Sequence, residues 1–257
     1  MTGQLAQLLA GAQDVLWLGF LVFLRVGAAM AVLPAFGERM VPMRVRLALT
    51  VVFTMAVLPA VADVAERAGA AHPPALLALV EAIAGLAIGL GMRLFVLALQ
   101  TAGAIAAQST SLSQIFGGSA VDPQPAFSHL LTLAGLALAA SLGLHVKIAA
   151  LFVLSYDLFP PGRLPDAGAL ADWGTARTSA AFRLAFALAA PFVIGSVLYN
   201  IALGVINRAM PQLMVALVGA PAITWLSIVL LMLAAPVMIA TWIAAFDLFL
   251  ADPTGPG

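Results

Sequence analysis

The sequence contains no cysteine and, among 257 residues, a single lysine, Lys147. The absence of cysteine excludes disulfides, thiolate ligands for a metal and a thiol nucleophile. Lys147 does not follow a glycine-rich loop, so the phosphate-binding site of a nucleotide hydrolase is excluded as well. The 11 Lys and Arg residues are scattered along the chain and balanced by 11 Asp and Glu residues, which leaves no basic stripe for nucleic acid.

The histidine and serine patterns of known catalytic and metal sites are also lacking. The three histidines, His72, His129 and His145, form no HExxH motif and no cluster with carboxylates. Ser119 follows two glycines, but its flanking residues do not predict the strand and helix that surround a hydrolase nucleophile. We therefore predict that the protein is not an enzyme and has no catalytic residues, no metal site and no cofactor.

Charge is scarce, whereas apolar side chains are abundant. Hydrophobic residues make up 63% of the chain and charged residues 9%, and the mean hydropathy is +1.11. Soluble domains are about 45–50% apolar and about 25% charged. A chain with so few polar side chains cannot cover a water-facing surface, so we predict an integral membrane protein.

Six long apolar stretches, bounded by charges, prolines and glycines, run nearly from end to end. A helix needs about 20 residues to cross the hydrocarbon core of a bilayer. We therefore predict an all-α fold with about six long apolar membrane helices, some of them kinked or broken by internal prolines. The six stretches span residues 15–36, 47–62, 75–107, 127–154, 180–207 and 213–250.

Arg25, Glu81, Arg93 and Arg183 are among the charges that lie inside or close to these stretches. A charge at the bilayer centre costs about 2.5–3.5 kcal/mol on insertion scales, so each is predicted either to face protein or water, or to reach the headgroups. Glu81 and Arg93 are too far apart in sequence to pair on one straight helix, so each needs another partner. Gly85 and Gly89, spaced as GxxxG, favour close packing of that helix against a neighbour.

The segment 108–126 is polar, contains glycine and proline, and carries one charge, Asp122. Irregular backbone at membrane depth is stable only where protein or water satisfies its polar groups. The composition alone leaves two interpretations open. The segment is either a plain solvent-exposed loop or a re-entrant plug that lines a translocation path.

Three blocks of the sequence carry short motifs. In residues 24–53, Arg25 and Pro34 precede a Glu-Arg-x-Val-Pro-x-Arg segment at 38–44. In residues 203–221, an Arg-x-Met-Pro-Gln-Leu segment lies at 208–213. These blocks resemble the FliR family, an export-gate component of bacterial flagellar and virulence type III secretion systems. The weaker third block, residues 101–124, has Ala104 where that family usually carries glutamate.

The resemblance implies a subunit of the export gate in the bacterial inner membrane, within the basal body, and the first block is closer to flagellar members. It implies a hetero-oligomer with P-type, Q-type and FlhB-type subunits, through which unfolded proteins are exported. Residues 1–179 would form a P-like helical part and residues 180–257 a Q-like helical hairpin with a C-terminal tail.

The resemblance also assigns roles to two polar segments. Segment 108–126 would act as a plug in the channel, and the turn at 207–212 would lie near the cytoplasmic entrance. The implied plug or channel residues are Gln108, Ser109, Thr110, Ser111, Ser113, Gln114, Phe116, Gly117, Gly118 and Asp122, and the implied entrance residues are Asn207, Arg208, Pro211 and Gln212.

A secondary transporter for a small solute is the alternative. Broken helices around a buried charge near the midplane are typical of such transporters, and Arg25, Glu81 and Arg93 are suited to that role. The sequence has no evident internal repeat, however, and a transporter would not account for the three blocks. A membrane-embedded hydrolase ranks third, because a nucleophile and base are lacking.

Overall fold

In the computed structural model, the described residues, 2–33, 42–110, 126–210 and 215–255, form seven α-helices and no strand. This confirms the predicted all-α fold. The family-like residues at 34–41, most of the predicted plug and residues 211–214 lie outside the described residues. The helices are α1 (Thr2–Val32), α2 (Met43–Ala71), α3 (Pro74–Thr110), α4 (Ala126–Ser141), α5 (Leu144–Leu158), α6 (Ala167–Ala209) and α7 (Val215–Ala251).

Most of these helices are long and apolar enough to cross a bilayer. Five qualify individually within the described residues, namely α1, α2, α3, α6 and α7. The shorter α4 and α5 together form one further bent span, which brings the number to six. The prediction of about six membrane helices, some of them broken, is confirmed.

The helices extend beyond the apolar stretches that predicted them. α2 continues to Ala71, and α6 begins at Ala167, although both regions were predicted as connections. Alanine is abundant in both extensions and has the highest helix propensity, so these turns stay helical where they are too polar to appear as membrane segments. Hydropathy identifies the part of a helix that suits lipid, and helix propensity decides where that helix ends.

The fourth apolar stretch, predicted as one helix, divides into α4 and α5. Gly143 precedes α5 with φ +79°, the left-handed conformation that glycine adopts without steric cost. By contrast, α2 and α6 continue through Pro59 and Pro191. The break in this stretch therefore arises at a glycine, whereas the prediction attributed breaks to proline.

The chain divides into two compact units. The first comprises Met1–Leu94, Leu142–Ala176 and Phe249–Pro256, and the second comprises chiefly Phe95–Ser141 and Arg177–Leu248. α3 and α6 each contribute to both units. The division into a P-like part and a Q-like hairpin follows from the resemblance, and it stays a prediction.

In the first unit, α2 packs against α1 and α5. Trp17 of α1 packs against a buried group formed by Leu21, Ala68 and Leu77. Phe53 of α2 and Phe152 of α5 meet edge to face, with ring centroids 6.1 Å apart. These contacts surround the part of α1 that carries Arg25.

In the second unit, the core is built around Trp242 of α7, which is fully buried. Its indole Nε1 donates to the carbonyl of Phe95 at 2.7 Å, so the large ring is buried without an unsatisfied polar atom. Gly135 of α4 lies against Leu99 and Trp242, where a longer side chain would collide with Leu99. α3, α4 and α7 therefore share one core in this unit.

Candidate functional site

A buried ion pair joins α1 to α3 in the first unit. Arg25 is 0% exposed and Glu81 is 1% exposed. The guanidinium donates from Nε to Glu81 Oε2 at 2.6 Å and from Nη2 to Glu81 Oε1 at 3.0 Å. This two-point geometry is the strongest arrangement between arginine and a carboxylate. Arg25 is therefore the partner that Glu81 was predicted to need.

α5 and the residue that follows it complete the surroundings of Arg25. Nη1 donates to Ser155 Oγ at 3.1 Å, and Nη2 also donates to the carbonyl of Phe159 at 2.8 Å. The guanidinium carbon lies 3.7 Å from the ring centroid of Tyr156, whose hydroxyl donates to Glu81 Oε2 at 3.3 Å. Three helices thus meet at one charge pair whose net charge is zero.

Sequence reasoning did not identify Ser155 and Tyr156 as members of this site. Tyr156 is 4% exposed, and its ring packs against the guanidinium of Arg25. The sequence held a signal, because a Ser-Tyr pair directly follows the fourth apolar stretch. Such a pair within an apolar helix would have been a reasonable candidate for the partner of a buried charge.

The two glycines predicted to allow close packing lie where α3 meets α1. A Cβ atom at Gly85 would collide with the backbone carbonyl of Arg25. A Cβ atom at Gly89 would lie 2.7 Å from the carbonyl of Ala29, one turn further along α1. The GxxxG spacing therefore brings the two backbones together at the level of the ion pair, which confirms the expected close helix packing.

Arg25 and Glu81 have a structural role in this arrangement. Among the described residues around the pair, no nucleophile lies beside a base, and Arg25 and Glu81 satisfy each other. Breaking one member of such a pair leaves an uncompensated buried charge, which typically costs about 3–5 kcal/mol. The arrangement therefore joins α1, α3 and α5 through a pair whose two charges satisfy each other.

Arg93, the third charge, is not part of this cluster. It lies on α3, where it is exposed, and no described residue forms an ion pair or hydrogen bond with it. Twelve residues separate it from Glu81, in keeping with the prediction that the two cannot pair on one helix. Arg25 and Glu81 therefore form an internal pair, whereas Arg93 is exposed.

The start of the predicted plug is helical. Gln108, Ser109 and Thr110 form the last turn of α3, so the loop boundary predicted at residue 108 was wrong by three residues. Ser109 Oγ donates to the carbonyl of Ala106 at 2.9 Å, so its polar group is satisfied within the helix. The other predicted plug residues, namely Ser111, Ser113, Gln114, Phe116, Gly117, Gly118 and Asp122, lie outside the described residues.

The predicted entrance turn also begins later than expected. Asn207 and Arg208 lie in the last turn of α6, and both are exposed. An arginine at this end is favourable, because the C-terminus of a helix carries partial negative charge. Pro211 and Gln212 lie outside the described residues.

The first unit also contains a cavity of about 530 Å³, next to the segment that follows α5. Its lining is mostly apolar, with Trp173 and Phe249 among the large side chains and Asp157, Arg163 and Asp166 as charged members. Within the described part of the chain, no group of three or more metal-ligating side chains comes together. The cavity therefore has no metal-ligand cluster among these residues.

Comparison with known proteins identifies the family. The profile of "Bacterial export proteins, family 1" matches residues 16–249. The chain belongs to the FliR family of bacterial export proteins. A flagellar biosynthetic protein FliR of Caulobacter vibrioides is 32% identical over 228 residues, which cover 86% of this chain and 90% of that relative. The FliR protein of Escherichia coli is 30% identical over 214 residues, which cover 80% of each chain.

A third FliR relative, from Aquifex aeolicus, is 27% identical over 223 residues, which cover 86% of each chain. Because FliR relatives match along most of their length, the resemblance inferred from three short blocks extends across the membrane helices. The predicted function and location are therefore confirmed: the chain is a multi-pass inner-membrane component of the flagellar export gate. It works together with other components of the export apparatus.

Proposed function

We propose that this FliR-family chain is a non-enzymatic gate subunit that assembles with P-type, Q-type and FlhB-type subunits around the path of unfolded export substrates. The observation that supports this most is the amount of apolar surface that the chain leaves uncovered. Of the most apolar 18-residue window in α7, 11% is buried, compared with 56% in α3. Such surface needs either lipid or neighbouring subunits.

The uncovered surface of α6 has the pattern of a packing face. Six of its exposed apolar residues lie four or seven positions apart and form a stripe along one side of the helix. The buried residues of α6, among them Leu188 and Phe192, occupy the other side. The stripe consists of Phe182, Phe186, Val193, Val197, Ile201 and Val205, each at least 39% exposed.

The position of Arg93 indicates that α3 borders a partner subunit and not lipid. An arginine in the middle of a span that faced lipid would cost about 2.5–3.5 kcal/mol. We therefore propose that Arg93 contacts a carboxylate or backbone carbonyls of a neighbouring gate subunit. Within this proposal, the segment 108–126 acts as the plug and the turn at 207–212 lies at the cytoplasmic entrance.

The transporter alternative loses its main support. A solute transporter would need a charge that is accessible to a substrate, whereas the buried pair of Arg25 and Glu81 is enclosed by protein and internally satisfied. The exposed Arg93 alone does not build a binding site among the described residues.

Co-expression tests the proposal. The chain is produced in a bacterial membrane with and without P-type and Q-type subunits, and each sample is purified in detergent. We expect a stable complex with the partners and an aggregating chain without them, because the α6 and α7 surfaces are uncovered. A monodisperse chain alone that binds neither partner would refute the gate role, and solute uptake by that chain in liposomes would support the transporter.

A further inference from the structure

The cavity of about 530 Å³ lies where three apolar spans begin or end. The bent span of α4 and α5 ends at Leu158, α6 begins at Ala167, and the span of α7 ends at Ala251. Residues next to each of these ends line the cavity, and all of its lining residues belong to the first unit. Apolar spans end where the hydrocarbon core of a bilayer meets the lipid headgroups. The three helix ends therefore place the cavity near the level of the headgroups.

The interior of the cavity is apolar. Ile88 of α3, Leu170 and Trp173 of α6 and Phe249 of α7 supply its large side chains. Trp173 donates its indole N–H to the carbonyl of Pro253 at 2.9 Å, so the one polar atom of that side chain is already satisfied. The cavity volume is within the range of about 300–1,000 Å³ that small-molecule sites occupy. A hydrocarbon chain therefore matches this interior in both chemistry and size.

The walls of the cavity are held in place by packing and by a turn. A Cβ atom at Gly91 of α3 would lie 2.7 Å from the ring of Phe249 and 3.1 Å from the ring of Trp173, so both rings pack closely on α3. After α7, the carboxylate of Asp252 accepts hydrogen bonds from the backbone nitrogen and the hydroxyl of Thr254, at 3.0 and 2.8 Å. This turn fixes Thr254, which lines the cavity. Because the walls are preformed, a ligand binds without the cost of ordering them.

Three charged side chains also line the cavity: Asp157, Arg163 and Asp166. No described residue forms an ion pair or a side-chain hydrogen bond with Asp157 or Arg163. Asp166 accepts a hydrogen bond from the backbone nitrogen of Ala169 at 2.8 Å through one oxygen, and so caps the start of α6. The cavity thus offers one arginine and two carboxylates to a ligand.

This set of charges complements a headgroup that carries both a phosphate and a primary ammonium. Arginine binds phosphate through paired N–H donors, and a primary ammonium has three N–H donors for carboxylates. The anionic headgroup of phosphatidylglycerol would place its negative charge beside two carboxylates. The quaternary ammonium of phosphatidylcholine has no N–H to donate. Among these three headgroups, the charges therefore favour phosphatidylethanolamine.

A peptide segment of a partner subunit is less suited to the cavity. Each peptide unit carries an N–H and a C=O group, and burying these groups without hydrogen-bond partners is costly. The side chains of Ile88, Leu170 and Phe249 offer no polar atom, and the indole N–H of Trp173 is already bonded. An acyl chain has no such groups to bury, so the apolar interior favours lipid.

We propose that the cavity is a binding site for one phosphatidylethanolamine molecule. An acyl chain occupies the apolar interior beside Trp173, the phosphate pairs with Arg163, and the ammonium pairs with Asp157 and Asp166. This site goes beyond the proposed gate role, because it does not depend on which subunits surround the chain.

Photo-crosslinking tests what occupies the cavity. A photoreactive diazirine amino acid replaces Leu170, a lining residue, in the full chain co-expressed with P-type and Q-type subunits in a bacterial membrane. After irradiation, the mass of the chain is measured. We expect an increase equal to the mass of one phosphatidylethanolamine molecule. An adduct with a partner subunit, or the absence of any lipid adduct, would overturn the lipid site.

A competition between lipids tests the headgroup. The same complex is placed in vesicles that contain equal parts of phosphatidylethanolamine, phosphatidylglycerol, phosphatidylcholine and diacylglycerol with identical acyl chains, and the adduct masses show which lipid was captured. We expect phosphatidylethanolamine to be enriched about tenfold over each of the others, the equivalent of one hydrogen bond to a charged group. Equal capture of the four lipids would overturn the proposal, because it would show that the cavity does not recognise a headgroup.

Variants assign the two halves of the headgroup to their residues. Arg163→Gln is expected to raise the capture of diacylglycerol, which lacks a phosphate, about tenfold relative to the phospholipids. Asp157→Asn with Asp166→Asn is expected to abolish the preference for phosphatidylethanolamine over phosphatidylglycerol, and asparagine keeps the cap of α6. Arg67→Gln is the matched control, since Arg67 is exposed, lies outside the cavity and bonds to a carbonyl of its own helix. Its capture ratios are expected to stay unchanged.

Capture ratios that stay the same in the Arg163 and aspartate variants would overturn the assigned contacts. These three side chains are exposed, so the variants are expected to assemble, and the competition with the unmodified cavity is decisive without them. The yield of complex is recorded for every variant and reports on the gate role separately. Normal yield without headgroup preference refutes the lipid site and keeps the gate role, whereas preferred capture by a chain that binds neither partner does the reverse.

Discussion

The backbone carbonyl of Arg25 occupies the place where a side chain at Gly85 would begin. One turn before Gly85 on α3, Glu81 accepts two hydrogen bonds from the guanidinium of the same Arg25. A close backbone contact and a buried ion pair therefore depend on the same helix approach. Lipid offers helices no hydrophobic drive to associate, so close contacts and polar bonds must supply the stability of this pair.

Gly85→Ala is expected to destabilise the chain by about 1–3 kcal/mol, because the added methyl group forces α1 away from α3 in a well-packed region. The measurement is the thermal midpoint of the assembled complex in detergent, together with the amount of intact chain in the membrane. Gly204→Ala is the matched control, since Gly204 also lies within a helix but has open space where its Cβ would be. That variant is expected to be neutral or slightly stabilising, and an equal loss in both variants would contradict the close-contact explanation.

Glu81→Gln is expected to lower stability by about 3–5 kcal/mol, because it leaves the buried guanidinium of Arg25 without its counter-charge. Arg25→Leu is expected to do the same by leaving Glu81 unpaired. The double variant Arg25→Leu with Glu81→Leu removes both charges and should lose less than the two single losses combined. Thermal midpoints of the four proteins measure this coupling, and strictly additive losses would show that the two residues do not stabilise each other.

The ion pair shows which features of the site can be predicted from the sequence. The cost of burying Arg25 and Glu81 follows from their positions in apolar stretches, and so does the need for a partner. The identity of the partner does not, because 56 residues separate the two and only the packing of α1 on α3 brings them together. The GxxxG spacing correctly indicated that α3 packs closely, but a periodic pattern does not name the neighbouring helix.

The break at Gly143 illustrates a second limit. The fourth apolar stretch contains one charge, Lys147, and no proline, so hydropathy merges α4 and α5 into one segment. The hydropathy of a glycine does not depend on its backbone conformation, and glycine is common in membrane helices. The hydrogen bond from Ser196 to the carbonyl of Ser109 could not be predicted from the sequence either. The two residues are 87 positions apart, so their contact depends on tertiary packing.

Arg93→Leu is expected to reduce assembly with the P-type and Q-type subunits while leaving the fold of the chain intact. The reason is that Arg93 is exposed and separate from the internal pair, so its proposed partner belongs to another subunit. The yield of complex per amount of membrane-inserted chain measures the effect. Arg67→Leu serves as a control, since Arg67 is also exposed and bonds to a carbonyl of its own helix.

If Arg93→Leu gives the same yield of complex as the unmodified chain, then Arg93 reaches the headgroups and has no subunit partner. Equal losses with Arg67→Leu would mean that any exposed arginine matters, for example through membrane orientation. A loss confined to Arg93→Leu supports a specific contact across a subunit interface.

Deletion of residues 113–120 is expected to leave assembly unchanged and to make the membrane permeable to small ions. The physical reason is that the contacts at the base of the segment, Ser109 with Ser196 and Phe127 with Phe192, lie outside the deleted residues. The helices that form the complex should therefore keep their packing while the proposed plug is lost. Conductance of membranes that contain the complex measures leakage, and complex yield serves as the control for assembly. Normal yield with unchanged conductance would refute the plug role, because a channel that has lost its plug is expected to leak.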